Sequence, residues 1–408
     1  MKILVLNCGS SSVKYQLIDT SIDRIESNTD RPLARGSVER IGTESAIHSY
    51  QAADREMLTN SREILEHRVA VAEILALLTH PEHGVVQDPF EIEAVGHRVV
   101  HGGERFSRSA LFTPEVRRGI EACTSLAPLH NPHNLRGYEA ALATLAHASH
   151  VAVFDTAYHQ TMPPHAYLYG LPYILYERHG IRRYGFHGTS HRYVGWRSEA
   201  LLGRPREETR LVTCHLGNGA SVCAIDRGRS VDTSMGFTPL EGLLMGTRTG
   251  DLDPSVVFHL MHEEDLTEHQ VTALLNKHSG LYGVSGLTHD MRELLAAEAS
   301  GHGRARLAID LFCYRVRKCV AAYAGAMGGV DAVIFTGGIG ENSAAIRARA
   351  LAGLEFMGIA IDPSHNEAAV GVEADVSSET ARVRTLVIPT NEELLIARDT
   401  LRCVVGEA

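Results

Sequence analysis

One local pattern occurs twice in this chain. Ile3–Leu6 is a continuous apolar run, followed by the turn Asn7-Cys8-Gly9-Ser10-Ser11-Ser12 and the alternating run Val13–Leu17. Far downstream, Leu211–Cys214 leads into His215-Leu216-Gly217-Asn218-Gly219-Ala220 and then Ser221–Asp226. Short apolar runs bounded by turn residues read as buried strands, and period-two alternation reads as a half-buried strand. Each stretch is therefore a strand–turn–strand unit. An internal duplication accounts for the recurrence; so does chance, because the two stretches share few identical residues.

The turns also carry chemistry. Asn7–Ser12 with Lys14 gathers small residues, hydroxyls and an amine, a set that can cradle a phosphate or a hydrated Mg²⁺. An ordinary Gly/Ser hairpin turn has the same composition. A third candidate is Ala332–Thr336 running into Gly337-Gly338-Ile339-Gly340, then Glu341-Asn342-Ser343 and a helix. Glycines let backbone approach a ligand, and a helix N-terminus offers free N–H groups to an anion. That suggests a nucleotide, although unliganded α/β turns carry glycines too. No Gly-Lys-Ser/Thr occurs, which removes a P-loop, and the third glycine of a dinucleotide fingerprint is missing.

Strands alternating with helices make the chain α/β. Helices are expected at Ser61–Leu78, Thr113–Leu126, Leu135–His147, Pro254–His262, Thr267–Asn276, Met291–Ala299, Arg304–Met327 and Glu392–Arg402. Further strands are expected at Ala94–Val100, Val151–Asp155 and Thr385–Ile388. The net charge of −10 argues against nucleic acid or an anionic membrane as a partner. An anionic substrate must then be met by local cations. Seven scattered cysteines with no C-x-x-C suggest reduced thiols in a cytoplasm. No signal peptide and no apolar run of membrane-spanning length is expected.

Two arginines stand in glycine-framed turns: Arg98 in Gly96–Gly103 and Arg248 in Gly246–Gly250. Arginine suits bidentate recognition of carboxylate or phosphoryl groups; a structural salt bridge to Glu104 or Asp251 is the plainer alternative. His187 precedes a helix that Thr189 or Ser190 can cap, where negative charge is favoured. His191 follows at zinc-like spacing, but no H-E-x-x-H pattern exists. Asp155 ends a strand, where α/β sites collect or where a turn is capped. In Pro389-Thr390-Asn391-Glu392-Glu393, Thr390 and Glu393 fit a capping box, leaving Glu392 as the freer carboxylate for a metal.

The segments LVLNCGSSSVKYQL, GHRVVHGG, FDTAYHQTMP, YGFHGTSHRYV, HLGNGAS, GFTPLEGLLMGTRTGDLDP, TGGIGEN and PTNEELLIARD resemble the acetate kinase family, within the acetate/propionate kinases. The resemblance runs from the first strand to the last helix. It implies two ribonuclease-H-like (actin-like ATPase) domains flanking a nucleotide cleft, with edges near 1–154 plus 388–408 and 155–387, and a homodimer. It also implies transfer of phosphoryl from ATP to acetate, giving ADP and acetyl phosphate, with Mg²⁺ or Mn²⁺. Asp155, His187 and Arg248 match the catalytic set; Arg98 matches the substrate arginine; Val100, Leu129, Phe186 and Pro239 match the acyl pocket. Lys14, His215, Leu216, Gly217, Asn218 and Gly219 match phosphate contacts. Asp290, Met291 and Arg292, with Gly337, Gly338, Ile339, Gly340 and Glu341, match the rest of the ATP site. Asn7 and Glu392 match the metal residues. Propionate as main substrate is one alternative, since a methylene in an apolar pocket is worth only about 1–3 kcal/mol. A non-catalytic actin-like nucleotide switch is the other, with no use for the arginine and histidine set.

Overall fold

The first apolar run becomes β1 (Lys2–Cys8), at the centre of an eight-stranded mixed sheet. The other strands are β2 (Ser12–Asp19), β3 (Arg31–Glu39), β4 (Thr43–Ala52), β5 (Leu58–Ile64), β6 (Ile92–Val99), β7 (Ala110–Leu111) and β8 (Ser149–Phe154), in the order β5-β4-β3-β2-β1-β6-β8-β7. Alternation decides what each face meets. Ile3 and Val5 pack with Val151 and Val153 against Ile396 and Leu401 of the helix Glu392–Val405. Leu4 and Leu6 face the helices His67–Leu78 and Asn131–Thr144 through Ile74 and Ala141. Gly96 on β6 permits the terminal helix to sit close: a Cβ there would stand 2.5 Å from Thr400 Oγ1 and 2.8 Å from Ile396 Cγ2.

This computed structural model describes residues 1–407 apart from Asp54 and Leu129, so Leu129 of the expected acyl pocket lies outside the described residues. The chain divides into two compact units, Met1–Tyr158 with Asn391–Ala408, and His159–Thr390. Asp155 belongs to the first.

The second unit holds β9 (Arg210–Leu216), β10 (Ala220–Asp226), β11 (Arg229–Thr233), β12 (Ala332–Thr336), β13 (Ala374–Asp375) and β14 (Arg384–Val387), ordered β11-β10-β9-β12-β14-β13. The series β3-β2-β1-β6-β8 is repeated as β11-β10-β9-β12-β14, three antiparallel strands followed by two parallel ones. The two turns that first drew attention occupy equivalent positions in the series. Duplication explains that; chance similarity does not. The helix Gly303–Ala326 packs on β9 and β10 with Ala305, Ala308, Ile309, Phe312, Val316 and Val320 buried, an i, i+3, i+4 stripe.

Three local expectations need correction. The helix expected from Ser61 begins at His67, because 58–64 is β5. That strand buries only Ile64, so it carries no alternation to read. Thr390 and Glu393 form no capping box: Asn391 is the N-cap, its Oδ1 accepting from Leu394 N at 3.0 Å. Thr189 and Ser190 lie inside the helix Gly188–Leu202, and His187 holds the N-cap position with φ 57°. Among the described residues no helix is long and apolar enough to cross a membrane.

Candidate active site

In the first unit, Arg98 lies on β6 and Asp155 follows β8, its parallel neighbour. Arg98 Nε donates to Asp155 Oδ1 at 3.0 Å and Nη2 donates to Oδ2 at 2.6 Å. The ion-pair partners of Arg98 among the described residues are Asp155 and Glu392, not Glu104. Glu392 Oε2 is 3.9 Å from Arg98 Nε. The fork is thus filled on its Nε–Nη2 side, and Nη1 has no partner among the described residues. Burial works against the Arg98 charge, but Asp155 and Glu392 outweigh it and hold the guanidinium firmly protonated. Burial pushes the Glu392 carboxyl up to about 7; Arg98 opposes this, while Asp155 and Glu393 reinforce it. Asn7, near the end of β1, pairs across the hairpin with the exposed Lys14. Val100 is half-buried, its N–H donating to Asn134 Oδ1 at 3.0 Å.

In the second unit the turn after β9 and the segment 246–248 lie together. Gly246 N donates to Asn218 O at 2.9 Å. A Cβ on Gly246 would stand 2.0 Å from Asn218 Oδ1 and 3.3 Å from Asn218 O, so a side chain there would displace the Asn218 amide. Arg248 is thereby brought over Gly219. A Cβ built on Gly219 would lie 3.4 Å from His187 Nε2 and 3.7 Å from Arg248 Nη1. Two side chains named separately in the sequence therefore converge on one backbone point. Arg248 makes no ion pair among the described residues; Asp251, its candidate partner, accepts instead from Gly242 N at 2.7 Å. Arg248 Nη1 donates to Pro239 O at 3.2 Å, and burial lowers the guanidinium pKa. A half-buried cation without an acid costs stability, which makes an anion the natural complement.

His187 is held from behind. Its Nδ1 is 2.9 Å from Ser221 Oγ, and its ring stacks on His215 with centroids 4.2 Å apart. His215 Nδ1 meets Ser190 Oγ at 2.8 Å, which in turn meets Thr390 Oγ1 at 2.8 Å. His191, the zinc-spaced residue, has both ring nitrogens engaged, by Thr213 Oγ1 at 2.7 Å and Ser221 Oγ at 2.8 Å. Phe186 is buried, its carbonyl 3.0 Å from His159 Nε2.

Beside Gly219 lies a cavity of about 710 Å³, within the range of a nucleotide-sized pocket. Seven expected nucleotide residues line it: Gly217, Asn218, Asp290, Met291, Arg292, Gly338 and Ile339. His289, Leu295, Asn342 and Ser343 line it too, and sequence reasoning missed them. Their position next to two named motifs was the available signal. Asp290 caps the helix Met291–Ala299, accepting from Arg292 N at 2.8 Å, and the Arg292 guanidinium holds its carboxyl down to about 2. His215, Leu216, Gly219, Gly337, Gly340 and Glu341 are not part of the lining. Gly337–Asn342 is itself a short helix rather than a loop before one. The Glu341 carboxylate turns back, accepting from Gly337 N at 2.8 Å and Thr390 N at 2.9 Å.

Acetate kinase of Caldanaerobacter subterraneus subsp. tengcongensis is 52% identical over 407 residues, covering 100% of both chains. The solved acetate kinase of Porphyromonas gingivalis superposes with a TM-score of 0.92 at 47% identity, over 99% of each chain. A solved propionate kinase of Francisella tularensis gives 0.90 at 40% identity, over 98% of each. A sequence profile of the acetokinase family matches residues 2–398. With its paired sheets, its glycine turns and its whole length accounted for in this way, the chain belongs to the acetokinase family.

Proposed function

We propose that this protein reversibly transfers the γ-phosphoryl group of ATP to acetate, giving ADP and acetyl phosphate. The observation that carries the reading is the convergence of His187 Nε2 and Arg248 Nη1 over Gly219, beside a cavity lined by Gly217 and Asn218. Two donors there suit the equatorial oxygens of a transferring phosphoryl group.

The chemistry needs little from the protein beyond position and charge. Acetate is ionised at neutral pH, so no general base is required. A carboxylate oxygen attacks the γ-phosphorus in line, the bond to the β-phosphate oxygen breaks, and ADP leaves with that electron pair. Arg98 holds the acetate carboxylate through its remaining guanidinium edge. Asp155, committed to Arg98, orients that arginine rather than taking a proton. Val100, Leu129, Phe186 and Pro239 match the family's acyl-pocket residues and are assigned here to selecting a small acyl group. Lys14 and the His215–Gly219 turn hold phosphates, and the 290–292 and 337–341 segments hold the nucleoside end, with Glu341 acting by bracing the backbone there.

Mg²⁺, with Mn²⁺ as a substitute, fits Asn7 and Glu392: an amide oxygen and a carboxylate are hard donors of the kind these ions take alongside substrate phosphates. The carboxylate that burial drives up to about 7 gains most from a nearby cation. When bound, the ion neutralises charge on the β- and γ-phosphates.

A homodimer is part of the proposal. The helix Ser255–Glu263 buries none of its residues although it carries Val256, Phe258 and Met261, with Phe258 70% exposed; a second copy would cover that face. Seven free cysteines, six of them buried, suit a reducing cytoplasm.

Acyl-hydroxamate formation with MgATP tests the reading, comparing acetate, propionate and butyrate at matched concentrations. Acetate should be turned over best. Higher activity on propionate would move the substrate and keep the mechanism. No activity with any acid, in folded protein that binds ATP, would leave only a nucleotide switch.

A further inference from the structure

The hydrogen bonds behind His187 have a direction. Thr213 Oγ1 stands 2.7 Å from His191 Nδ1 and 3.5 Å from the carbonyl oxygen of Cys223. A hydroxyl has one proton to donate, and an O–H···O contact at the longer distance is barely a hydrogen bond. The Thr213 proton goes to His191 Nδ1. His191 is 0% exposed, and burial, with His159 and His215 adding to it, keeps its imidazole neutral. A neutral ring that accepts at Nδ1 carries its proton on Nε2, here 2.8 Å from Ser221 Oγ. Ser221 accepts that proton's hydrogen bond and turns its own proton to its other neighbour, His187 Nδ1, at 2.9 Å. His187 then accepts at Nδ1.

We propose that Thr213, His191 and Ser221 form a one-way hydrogen-bond chain that fixes the His187 proton on Nε2, so that His187 donates to the transferring phosphoryl group as a neutral imidazole. The inference rests on the role given to His187 above. The three are positioning residues, since they act only through His187. None belongs to the set recognisable from the family motifs as catalytic, and two of them, Thr213 and Ser221, are fully buried strand residues.

The direction matters because the opposite one would disarm the site. With the proton on Nδ1, His187 Nε2 would present a lone pair to an anionic phosphoryl and could donate only as an imidazolium. Among the described groups of its unit, His215 on β9, His191 one turn along its helix and Arg248 beside Gly219 stand close to His187. A second positive charge stacked on His215 and next to Arg248 is disfavoured by like-charge repulsion. A neutral donor avoids it.

Two measurements on the full chain test the proposal. The first is a long-range ¹H–¹⁵N spectrum of ¹⁵N-histidine-labelled protein, with the His187 signals assigned by their loss in His187→Gln. At a pH above the histidine range the proton should be on Nε2; a proton on Nδ1 would overturn the proposal. The second is kcat for acyl phosphate formation at saturating MgATP, across the ordinary histidine pKa of about 6.5. Wild type should lose nothing as histidine deprotonates. Ser221→Ala should lose kcat several-fold above that pH, with KM for ATP little changed. It should regain kcat below that pH, because the doubly protonated ring donates from Nε2 whatever holds Nδ1. A Ser221→Ala profile parallel to wild type would reduce the chain to scaffolding and overturn the proposal. If Ser221→Ala does not fold, Thr213→Val removes only the terminal hydroxyl and should show the same acid rescue more weakly. Absence of acyl phosphate formation in wild type would overturn the kinase reading instead, and the tautomer spectrum still decides the chain.

Discussion

Asp155 grips Arg98 along one side of its guanidinium, Nε to Oδ1 at 3.0 Å and Nη2 to Oδ2 at 2.6 Å, from adjacent parallel strands. The pair is charge-assisted and Asp155 is 1% exposed, so the arginine is fixed in plane with one edge left to present. Asp155→Asn keeps the shape but surrenders the charge and half of the fork. Charge-assisted bonds of this kind contribute about 1.5–3 kcal/mol, so kcat/KM for acetate should fall by roughly 10–100-fold. Steady-state kinetics with acetate varied would check it; an unchanged kcat/KM would mean that Asp155 serves the fold alone.

Arg248 presents the opposite case, a half-buried guanidinium whose partners among the described residues are the Pro239 carbonyl and the Met245 sulfur. Arginines that stabilise a transferring phosphoryl are worth about 10³–10⁵ in rate. Arg248→Ala should lower kcat by roughly 10³-fold or more, while the urea midpoint stays level or rises because a half-buried charge with no acidic partner has been removed. A loss of activity that tracks a loss of stability would instead make Arg248 a structural residue.

The two arginines mark how much of this site could be read from residue order. Glycines frame both, and glycine-framed cations are conspicuous. Their pairing was not visible. Arg98 and Asp155 are 57 positions apart, and only the parallel register of β6 and β8 joins them. Ser221 and Thr213 look like ordinary strand residues; their meaning comes from the β9–β10 register and from His191 on a helix above it. The duplicated core of the fold was legible because β1, β2, β9 and β10 are buried enough to carry a pattern. The β3–β5 extension was not, because β5 exposes its side chains and β4 puts His48 where an apolar residue would have completed the alternation. Glu341 was recognised from its motif, yet its carboxylate braces Gly337 and Thr390 from within, a role no motif conveys.

Gly96 couples the sheet to the helix that begins with Glu392. An added methyl would press on Thr400 Oγ1 at 2.5 Å and Ile396 Cγ2 at 2.8 Å. Overpacking of a well-filled core costs about 1–3 kcal/mol. Gly96→Ala should therefore lower the unfolding free energy by about 1–3 kcal/mol, read as a lower urea midpoint, and it should also raise the Mg²⁺ concentration needed for half-maximal activity, because the helix start carrying Glu392 is displaced. A variant that loses stability but keeps its Mg²⁺ dependence would separate the packing of this helix from the placement of its first residue.

Acid should unfold this protein through its buried histidines. Burial lowers His48, His101 and His159 from 6.5 to about 4, with Arg62 adding to the effect at His48 and the Phe186 carbonyl opposing it at His159. In the unfolded chain each binds a proton near the ordinary pKa; in the folded protein each resists until the pH is much lower. Between those two values the unfolded state holds more protons, so stability rises with pH there. The contribution is complete above the unfolded pKa and is lost as pH falls toward the folded one. Each group accounts for at most roughly 3 kcal/mol. The urea midpoint should accordingly fall from about pH 7 to pH 5, above the range where ordinary carboxylates protonate, with Glu392, its carboxyl pushed up to about 7, opposing part of the fall. His48 provides the control, since its Nε2 is 2.9 Å from Tyr15 OH and glutamine can keep that contact. His48→Gln should be somewhat less stable at neutral pH and should show a shallower fall on acidification. An identical slope in the variant would remove His48 from the account, and a midpoint indifferent to pH across this range would remove all three.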